Sequence, residues 1–187
     1  AAVQAALEHP IGSAPLSEIV QAGDTVTIVV SDVTRLVHTD RMLPVIVGEL
    51  NRIGVADEQI TVLIAPGTHR AHTQAEDELV CGKDMVRRLR IVQHDCHDAA
   101  QLTGVGRNRY GNDIIINTAA VQADQLILTG AVSFHPMAGY GGGRKAVVPG
   151  IAGFDTIMRN HALALAETPG AGCNPACDAG LLAGNPF

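Results

Sequence analysis

Two histidines, a lysine and a run of glycines lie within one short stretch of the chain. Residues 135–161 read HPMAGYGGGRKAVVPGIAGFDTIMRNH, with four glycines between Gly139 and Gly143 that only Tyr140 interrupts. Glycine loses more backbone entropy on folding than other residues, so such a run needs a reason, for example a close approach of main chain to a bound group. Lys145 follows the run and adds an amine. The stretch therefore predicts a ligand-binding site.

The common nucleotide-binding motifs do not account for this stretch. GYGGGRK is not the phosphate-binding loop of nucleoside triphosphatases, because Ala146 stands where a hydroxyl for magnesium would be required. The dinucleotide pattern G-x-G-x-x-G is also absent from the first predicted strand-to-helix turn. A glycine loop that cradles a phosphate group, with a lysine at its end, remains open as an alternative.

The composition favours an α/β domain. The chain has 187 residues, of which 47% are hydrophobic and 3% aromatic, with no Trp, so Val, Ile, Leu and Ala must build the core. The net charge of −6 gives no basic surface for nucleic acid, and no apolar run approaches the roughly 18 residues of a membrane span. No signal peptide is evident, so we expect a cytoplasmic protein with neither nucleic acid nor membrane as a partner. In that setting the four cysteines are expected to be free thiols.

Strand-like and helix-like patterns alternate along the chain. Strands are predicted at residues 25–31, 60–65, 90–93, 113–117 and 125–129, and helices at 1–8, 39–53, 73–80 and 154–167. Strands separated by helices imply right-handed crossovers and parallel pairing. The pattern therefore predicts a three-layer, Rossmann-like α/β domain with a largely parallel sheet.

Polar clusters follow three of the predicted strands. They are SDVTR at residues 31–35, PGTHR at 66–70 and FHPMAGYGGGRK at 134–145. Ligands of open α/β sheets bind beyond the carboxyl ends of the strands, so we expect these clusters to meet. Asp and Thr are also ordinary turn residues, but Arg35 at a strand end is suited to a bidentate grip on a carboxylate or phosphate.

Two histidines follow strand ends in a similar way. His69 and His135 have the side chain whose ordinary pKa of about 6.5 permits proton exchange near neutrality. Two such groups on opposite sides of a ligand are what a racemase requires, since inversion needs a proton acceptor for either enantiomer. A simple loop hydrogen bond is the alternative for each. His161 lies in a predicted helix among apolar neighbours, where a structural role is the alternative to metal binding.

Four other histidines are interpreted as residues of loops or helix starts with no part in the site. His94 and His97, in HDCHD, are interpreted as part of a solvated loop, with a zinc hydrolase that uses them together with His69 as a weaker alternative. His38 and His72 are interpreted as residues at helix starts.

The motifs SDVTR, GTHR, HPMAGYGGGRK, VVPGI and RNH, in this order, resemble the N-terminal domain of the nickel-pincer nucleotide-dependent lactate racemases and their relatives that act on other 2-hydroxy acids. The resemblance covers nearly the whole chain. It implies that Lys145 is joined covalently to a pyridinium mononucleotide of the 3,5-dithiocarboxylic acid type. It further implies that His161 binds nickel and that His69 and His135 form the acid/base pair.

The resemblance also implies the reaction and its participants. Contacts to cofactor or substrate are implied for Asp32, Thr34, Arg35, Gly141, Gly142 and Gly143. In such a reaction a histidine takes the hydroxyl proton of a lactate-like 2-hydroxy acid while hydride passes to the pyridinium ring, and the planar product accepts hydride on either face. The implied partners are the substrate, cofactor maturation enzymes and a C-terminal domain that residues 1–187 do not include. We therefore expect this domain alone to have little or no turnover.

Two features depart from the family pattern. Leu36 stands where the family usually has Pro, and residues 104–114 (GVGRNRYGNDI) replace a more typical threonine-containing segment. Both changes are expected to alter contacts with cofactor or substrate. A non-catalytic domain that keeps the fold and binds only a nucleotide or phosphate group, through Arg35 and the glycine loop, is the alternative function.

Overall fold

Helices and strands alternate through most of the computed structural model, which describes residues 2–167 and 172–187. The helices are α1 (Ala2–Glu8), α2 (Leu16–Ile19), α3 (Thr39–Ile53), α4 (Gln74–Cys81), α5 (Lys83–Arg88), α6 (Thr118–Gln122) and α7 (Phe154–Ala162). The strands are β1 (Val26–Ser31), β2 (Ile60–Ala65), β3 (Arg90–Gln93), β4 (Leu102–Arg107), β5 (Asp113–Asn117), β6 (Gln125–Leu128), β7 (Phe134–His135) and β8 (Gly139–Tyr140).

A four-stranded parallel sheet forms the centre of the fold. Its strand order is β3-β2-β1-β6, and β1 pairs with β2 without a register shift from Val26 opposite Ile60 to Ser31 opposite Ala65. Ile28, Val29 and Val30 of β1 are all fully buried, which is expected of an inner parallel strand covered on both faces. The predicted α/β class with a largely parallel sheet is confirmed.

Helical segments cover both faces of this sheet. Because successive strand residues point to opposite faces, Ile28 and Val30 pack against one layer and Val29 against the other. The first layer consists mainly of α3, α4 and α5, and Leu43 and Val47 of α3 are fully buried in it. The second layer is thinner and contains α6 and the segment that follows the glycine run.

Helix boundaries follow from local signals where these are strong. Helix α3 has the predicted limits and ends at Gly54, whose φ of 108° is in the region that favours glycine. Thr73 and Glu76 form the predicted capping box of α4, which ends before Gly82. Helix α5 was not predicted, since it follows that glycine immediately. None of the described helices is long and apolar enough to cross a membrane.

The structure corrects two predicted elements. Helix α7 ends at Ala162 instead of continuing to residue 167, because the amides of Leu163, Ala164 and Leu165 each turn back to the carbonyl three residues earlier. Strand β5 has the predicted limits but lies outside the parallel sheet, where it pairs antiparallel with β4. Strand β4 was not predicted, because its sequence LTGVGR contains two glycines and few strongly strand-forming residues.

The packing of α3 on the sheet predicts a large cost for truncating Leu43. Leu43→Ala leaves a cavity in a fully buried position, so we expect the free energy of unfolding to fall by about 2–5 kcal/mol. Leu79→Ala on α4 is the matched control, because that side chain is 55% exposed, and its cost should stay within about 0.5 kcal/mol. Denaturant unfolding of both variants measures the difference, and equal midpoints would contradict the assigned core.

Candidate active site

A cavity of about 330 Å³ opens beyond the carboxyl ends of β1, β2 and β6. This is the position at which the sequence clusters were expected to meet. Five predicted site residues from the first and third clusters line it together with neighbouring residues, and a sixth, Lys145, completes its wall. The lining residues with predicted roles are Asp32, Arg35, His135, Gly141, Gly142 and Lys145.

The turn after β1 holds a buried carboxylate. Asp32 is 2% exposed, and its Oδ1 accepts a hydrogen bond of 2.8 Å from the Thr34 hydroxyl. The Arg35 amide donates to the Asp32 carbonyl at 3.0 Å and closes the turn, while the Arg35 guanidinium lies 3.9 Å from Asp32 Oδ1. Thr34, predicted to contact cofactor, therefore has its hydroxyl bound to Asp32 in this structure.

His69 is held by this carboxylate. Its Nδ1 lies 2.6 Å from Asp32 Oδ2, which joins the turn after β1 to the turn after β2. A carboxylate accepts hydrogen bonds, so Nδ1 carries the proton and Nε2 keeps its lone pair. The His69 side chain is 43% exposed and lies outside the cavity wall, next to the Asp32 that lines it. This is the arrangement in which an acid orients a histidine base.

His135 has the opposite tautomer. Its Nδ1 accepts hydrogen bonds from the backbone amides of Met137 at 3.1 Å and Ala138 at 3.0 Å, so the proton of the neutral ring is on Nε2. Burial lowers the pKa of His135, and the positive charges of Lys145, Arg35 and His161 lower it further. The ring is therefore held as a neutral hydrogen-bond donor. The sequence predicted an acid/base residue here but gave no indication of its tautomer.

Lys145 presents an amine that loses its proton easily. It lies in the 3₁₀ turn Gly143–Ala146, and its side chain lines the cavity. Burial, followed by the nearby charge of Arg35, lowers the pKa of Lys145 to about 8. A free amine is a nucleophile, whereas the ammonium ion is not, so this environment increases the reactive fraction near neutral pH.

The glycine run lets the backbone fold closely beside Lys145. Gly142 has a φ of 74°, and a Cβ there would lie 2.8 Å from the carbonyl oxygen of Ala131. The amide of Gly141 donates to the Ser133 carbonyl at 2.7 Å. Gly141 and Gly142 line the cavity, whereas Gly143 lies outside its wall. Any larger residue at position 142 would displace the loop.

His161 has a ring nitrogen available for a metal. Its Nδ1 lies 2.8 Å from the carbonyl oxygen of Ile157, one turn earlier in α7, so Nδ1 donates the proton and Nε2 keeps a lone pair. Metal-bound histidines commonly have this second hydrogen bond, which fixes the ring and the tautomer. The described residues contain no group of three or more His, Cys, Asp or Glu placed to hold a metal ion.

Phe187 links His161 to the cavity. Its ring centroid lies 5.0 Å from that of His161 in an edge-on arrangement and 5.9 Å from that of His135. The Lys145 ammonium lies 5.4 Å from the same centroid. Asn185 holds this segment in place, because its side chain accepts from the Phe187 amide and donates to the Met137 carbonyl. Phe187 belongs to no motif or periodic pattern in the sequence, so its position here could not be predicted.

His94 corrects one prediction. It is 3% exposed, its Nε2 lies 2.9 Å from the Ala152 carbonyl, and its Nδ1 lies 3.2 Å from Asn117 Nδ2. The prediction of a solvated loop is wrong for this residue because it is packed between two elements. Both ring nitrogens are bonded, so His94 could bind zinc only by breaking one of these bonds. His97 is exposed and its ring lies against Phe154.

The two departures from the family pattern lie apart from the cavity. Residues 104–114 belong to the β4–β5 hairpin, where Arg107 pairs with Asp113, and none of them lines the cavity. Leu36 is 57% exposed and also lies outside the cavity wall. The expectation that they change ligand contacts therefore has no support from the cavity lining.

Comparison with known proteins gives one consistent family. The lactate racemase N-terminal domain family matches residues 1–172. A lactate racemase of Lactiplantibacillus plantarum is 37% identical over 167 residues, which cover 89% of this chain and 39% of that protein. A lactate racemase of Thermoanaerobacterium thermosaccharolyticum is 33% identical over 185 residues, which cover 99% of this chain and 42% of that protein.

Solved structures agree with this assignment. The structure of the lactate racemase apoprotein from Thermoanaerobacterium thermosaccharolyticum superimposes with a TM-score of 0.89 at 34% identity, and covers 98% of this chain and 42% of that one. A protein from Thermotoga maritima, with a TM-score of 0.66 and 23% identity over 83% of this chain, shares the fold. The chain spans about two fifths of the length of the racemases that it matches. Sequence and fold together show that the chain belongs to the lactate racemase N-terminal domain family.

Proposed function

We propose that this chain is the cofactor-bearing domain of a racemase or epimerase of a lactate-like 2-hydroxy acid. The observation that carries the proposal is the pair of histidines beside one cavity, held in opposite tautomers by fixed partners. Nε2 of His69 has a lone pair that can accept a proton, and Nε2 of His135 carries a proton that can be donated in a hydrogen bond. Inversion through a planar ketoacid requires the hydroxyl proton to leave as hydride leaves the carbinol carbon, and to return when hydride returns to the other face.

His69 is the base in this proposal. Its Nε2 takes the hydroxyl proton of the substrate, and the positive charge that forms on the ring is stabilised by Asp32 at 2.6 Å. Thr34 donates to the other oxygen of Asp32 and so holds the carboxylate in place. Asp32 thereby acts through His69, in addition to lining the cavity.

His135 is a neutral donor in this proposal. Two backbone amides occupy its Nδ1, so a second proton there would displace both of them. The Nε2 proton is directed instead at the substrate oxygen, where a neutral imidazole stabilises developing negative charge, as in other enzymes that keep such a histidine uncharged. The two histidines predicted as an equivalent acid/base pair are thus proposed to differ in role.

The residues present fit a covalently attached, metal-binding nucleotide cofactor. Lys145 offers a half-buried amine with a pKa of about 8, and His161 offers Nε2. The backbone of Gly142 lines the cavity in a loop that packs closely on the Ala131 carbonyl, where a Cβ would clash. When bound, the cofactor would supply a hydride acceptor and nickel. Lys145 would hold it by a covalent bond and His161 by an imidazole nitrogen, a ligand that suits nickel.

The charges of the cavity suit an anionic substrate. Arg35 and Lys145 both line it, and a guanidinium can bind a carboxylate through two parallel hydrogen bonds. Once Lys145 is attached to a cofactor, Arg35 is the remaining cation of the two. We therefore propose that Arg35 binds the carboxylate of the 2-hydroxy acid or a phosphate of the cofactor.

The pKa of Lys145 gives the first prediction. The fraction of free amine rises as the pH rises through about 8, so labelling of Lys145 by an acylating reagent should show a midpoint near that pH. Mass spectrometry of labelled peptides measures this between pH 6 and 11. Lys83, whose side chain is 77% exposed, is the internal reference for the response of the reagent itself. Labelling of Lys145 that rises only above pH 10 would contradict the assigned environment.

Covalent attachment gives the second prediction. The complete protein that contains this domain, produced together with the maturation enzymes, should carry a discrete mass increment that Lys145→Ala abolishes. Lys83→Ala is the matched control and should keep the increment, since its side chain lies on the surface. An unmodified wild-type mass under these conditions would favour the non-catalytic phosphate-binding alternative. An increment that survives in Lys145→Ala would place the attachment elsewhere.

The unequal histidines give the third prediction. His69→Gln removes the base, so kcat for racemisation should fall by about 10²–10⁴. His135→Gln keeps an amide N–H near the position of Nε2, so its kcat should fall by only about tenfold. Initial rates from either enantiomer measure both effects. Equal losses in the two variants would show that His135 transfers a proton as His69 does, and would refute the neutral-donor role.

The greater length of the matching racemases gives the fourth prediction. The matching racemases are more than twice as long as this chain, so the domain alone should racemise far more slowly than the complete protein when both carry cofactor. Chiral chromatography of the product measures both rates. Equal rates would show that residues 1–187 are sufficient.

A further inference from the structure

The His72 side chain is buried although its neighbours in the chain are exposed. Its side chain is 1% exposed, and it precedes α4 by two residues. The sequence indicated only a residue near a helix start, and that position is correct. The contacts of the ring, however, reach two other parts of the fold and were not predicted.

The ring of His72 connects a carboxylate to a backbone amide. Its Nε2 accepts a hydrogen bond of 2.9 Å from the amide of Val33, so the proton of the neutral ring is on Nδ1. Nδ1 lies 3.1 Å from Asp77 Oδ1 and donates to it. Asp77 thus fixes the tautomer that leaves Nε2 free to accept from Val33.

Gln93, at the end of β3, completes this arrangement. Its side-chain amide donates to Asp77 Oδ2 at 3.0 Å, and its carbonyl oxygen accepts from the His72 amide at 2.6 Å. Gln93 therefore holds both the His72 backbone and the Asp77 carboxylate that the His72 ring contacts. The turn after β1, the segment that follows β2 and the end of β3 are thus joined at His72.

Val33 lies between Asp32 and Thr34, in the turn that orients His69. Within that turn only the Asp32 carbonyl and the Arg35 amide bond to each other along the backbone. The bond from Val33 to His72 connects the turn to the segment before α4, and neither residue lines the cavity. Loss of this bond would leave an amide unpaired and let the Asp32 carboxylate shift.

We propose that His72 is a positioning residue, which sets the Asp32 carboxylate against His69 by holding the Val33 amide. It does not line the cavity and touches no reacting group. Its catalytic consequence rests on the proposed function of His69 as a base. A shift of about 1 Å in a positioning group can cost as much as 10²-fold in rate, so a modest movement of Asp32 suffices.

Two substitutions at His72 distinguish the effect of the hydrogen bond to Val33 from the effect of filling the buried position. The carbonyl oxygen of His72→Gln can reach the position of Nε2 and accept from Val33. His72→Asn is shorter and keeps only the contact with Asp77. Asp77→Asn is a further variant that leaves His72 in place. The introduced side-chain amide can donate to Nδ1 of His72, and the ring proton then lies on Nε2. In that tautomer the ring cannot accept from the Val33 amide. His94→Gln is the matched control, because it removes another buried, doubly bonded histidine from a different part of the fold.

The tautomer of His69 is the direct readout, observed by ¹⁵N correlation of ring nitrogens in the histidine-labelled complete protein. We expect the Nδ1–H form in the wild type, in His72→Gln and in His94→Gln, although His94→Gln should be less stable to heat. In His72→Asn and Asp77→Asn we expect a shift toward the Nε2–H form that an unconstrained histidine side chain prefers in water. If His72→Asn does not fold, Asp77→Asn carries the comparison. An unchanged His69 tautomer in the folded variants that lack the Val33 bond would overturn the proposal.

Racemisation kinetics provide the second readout. In His72→Asn, kcat should fall by about tenfold while KM changes less than about twofold, and His72→Gln should restore most of kcat. Equal losses for Asn and Gln would overturn the proposal, because burial rather than the bond would then be responsible. If the wild type does not racemise any 2-hydroxy acid, the proposed function fails, and the tautomer measurement still decides the role of His72.

Discussion

The parallel pairing of β1 with β2 on one side and β6 on the other is the constraint on which the site depends. Pairing without a register shift ends β1 and β2 at the same level, at Ser31 and Ala65. The turns that follow must then lie side by side, and the 2.6 Å contact between Asp32 and His69 joins them. The glycine-rich segment reaches the same edge after β6. Both faces of β1 are buried in the core, so the position of this edge is fixed by the most stable part of the domain.

Fixed hydrogen-bond partners set the tautomer of each of three histidine rings. A carboxylate holds His69, backbone amides hold His135, and a backbone carbonyl holds His161. Each partner engages Nδ1, so Nε2 is the nitrogen left for chemistry in all three rings. The difference between them comes from whether the partner accepts or donates a hydrogen bond. Groups oriented in this way do not have to reorganise during a reaction, which is a large part of the advantage of an enzyme site.

Much of the fold could be predicted because its signals are local. Helix α3 and strands β2 and β3 have the predicted limits, and the capping box of α4 consists of residues three positions apart. Strand β4 and helix α5 were missed because glycines interrupt or precede them. The convergence of clusters at the sheet edge could be predicted from topology alone, and the cavity lies there.

The roles of individual side chains were harder to predict, since their partners are distant in sequence. His94 bonds to a carbonyl 58 residues away, and His72 to an amide 39 residues away. Neither pairing produces a periodic pattern in the sequence. The sequence therefore indicates only a loop residue at His94 and a residue near a helix start at His72. Phe187 meets Lys145 and two histidines only through folding of the final segment. Tautomers likewise depend on hydrogen bonds that exist only in the folded chain.

The proposed function requires Lys145 and His161, from different elements, to serve one bound group. Nickel content of the complete protein, matured together with its cofactor enzymes, tests this most directly. We expect about one nickel per chain in the wild type and in His97→Gln, and at least about a tenfold loss in both His161→Gln and Lys145→Ala. Nickel retained in either of the last two variants, or lost in His97→Gln, would contradict it.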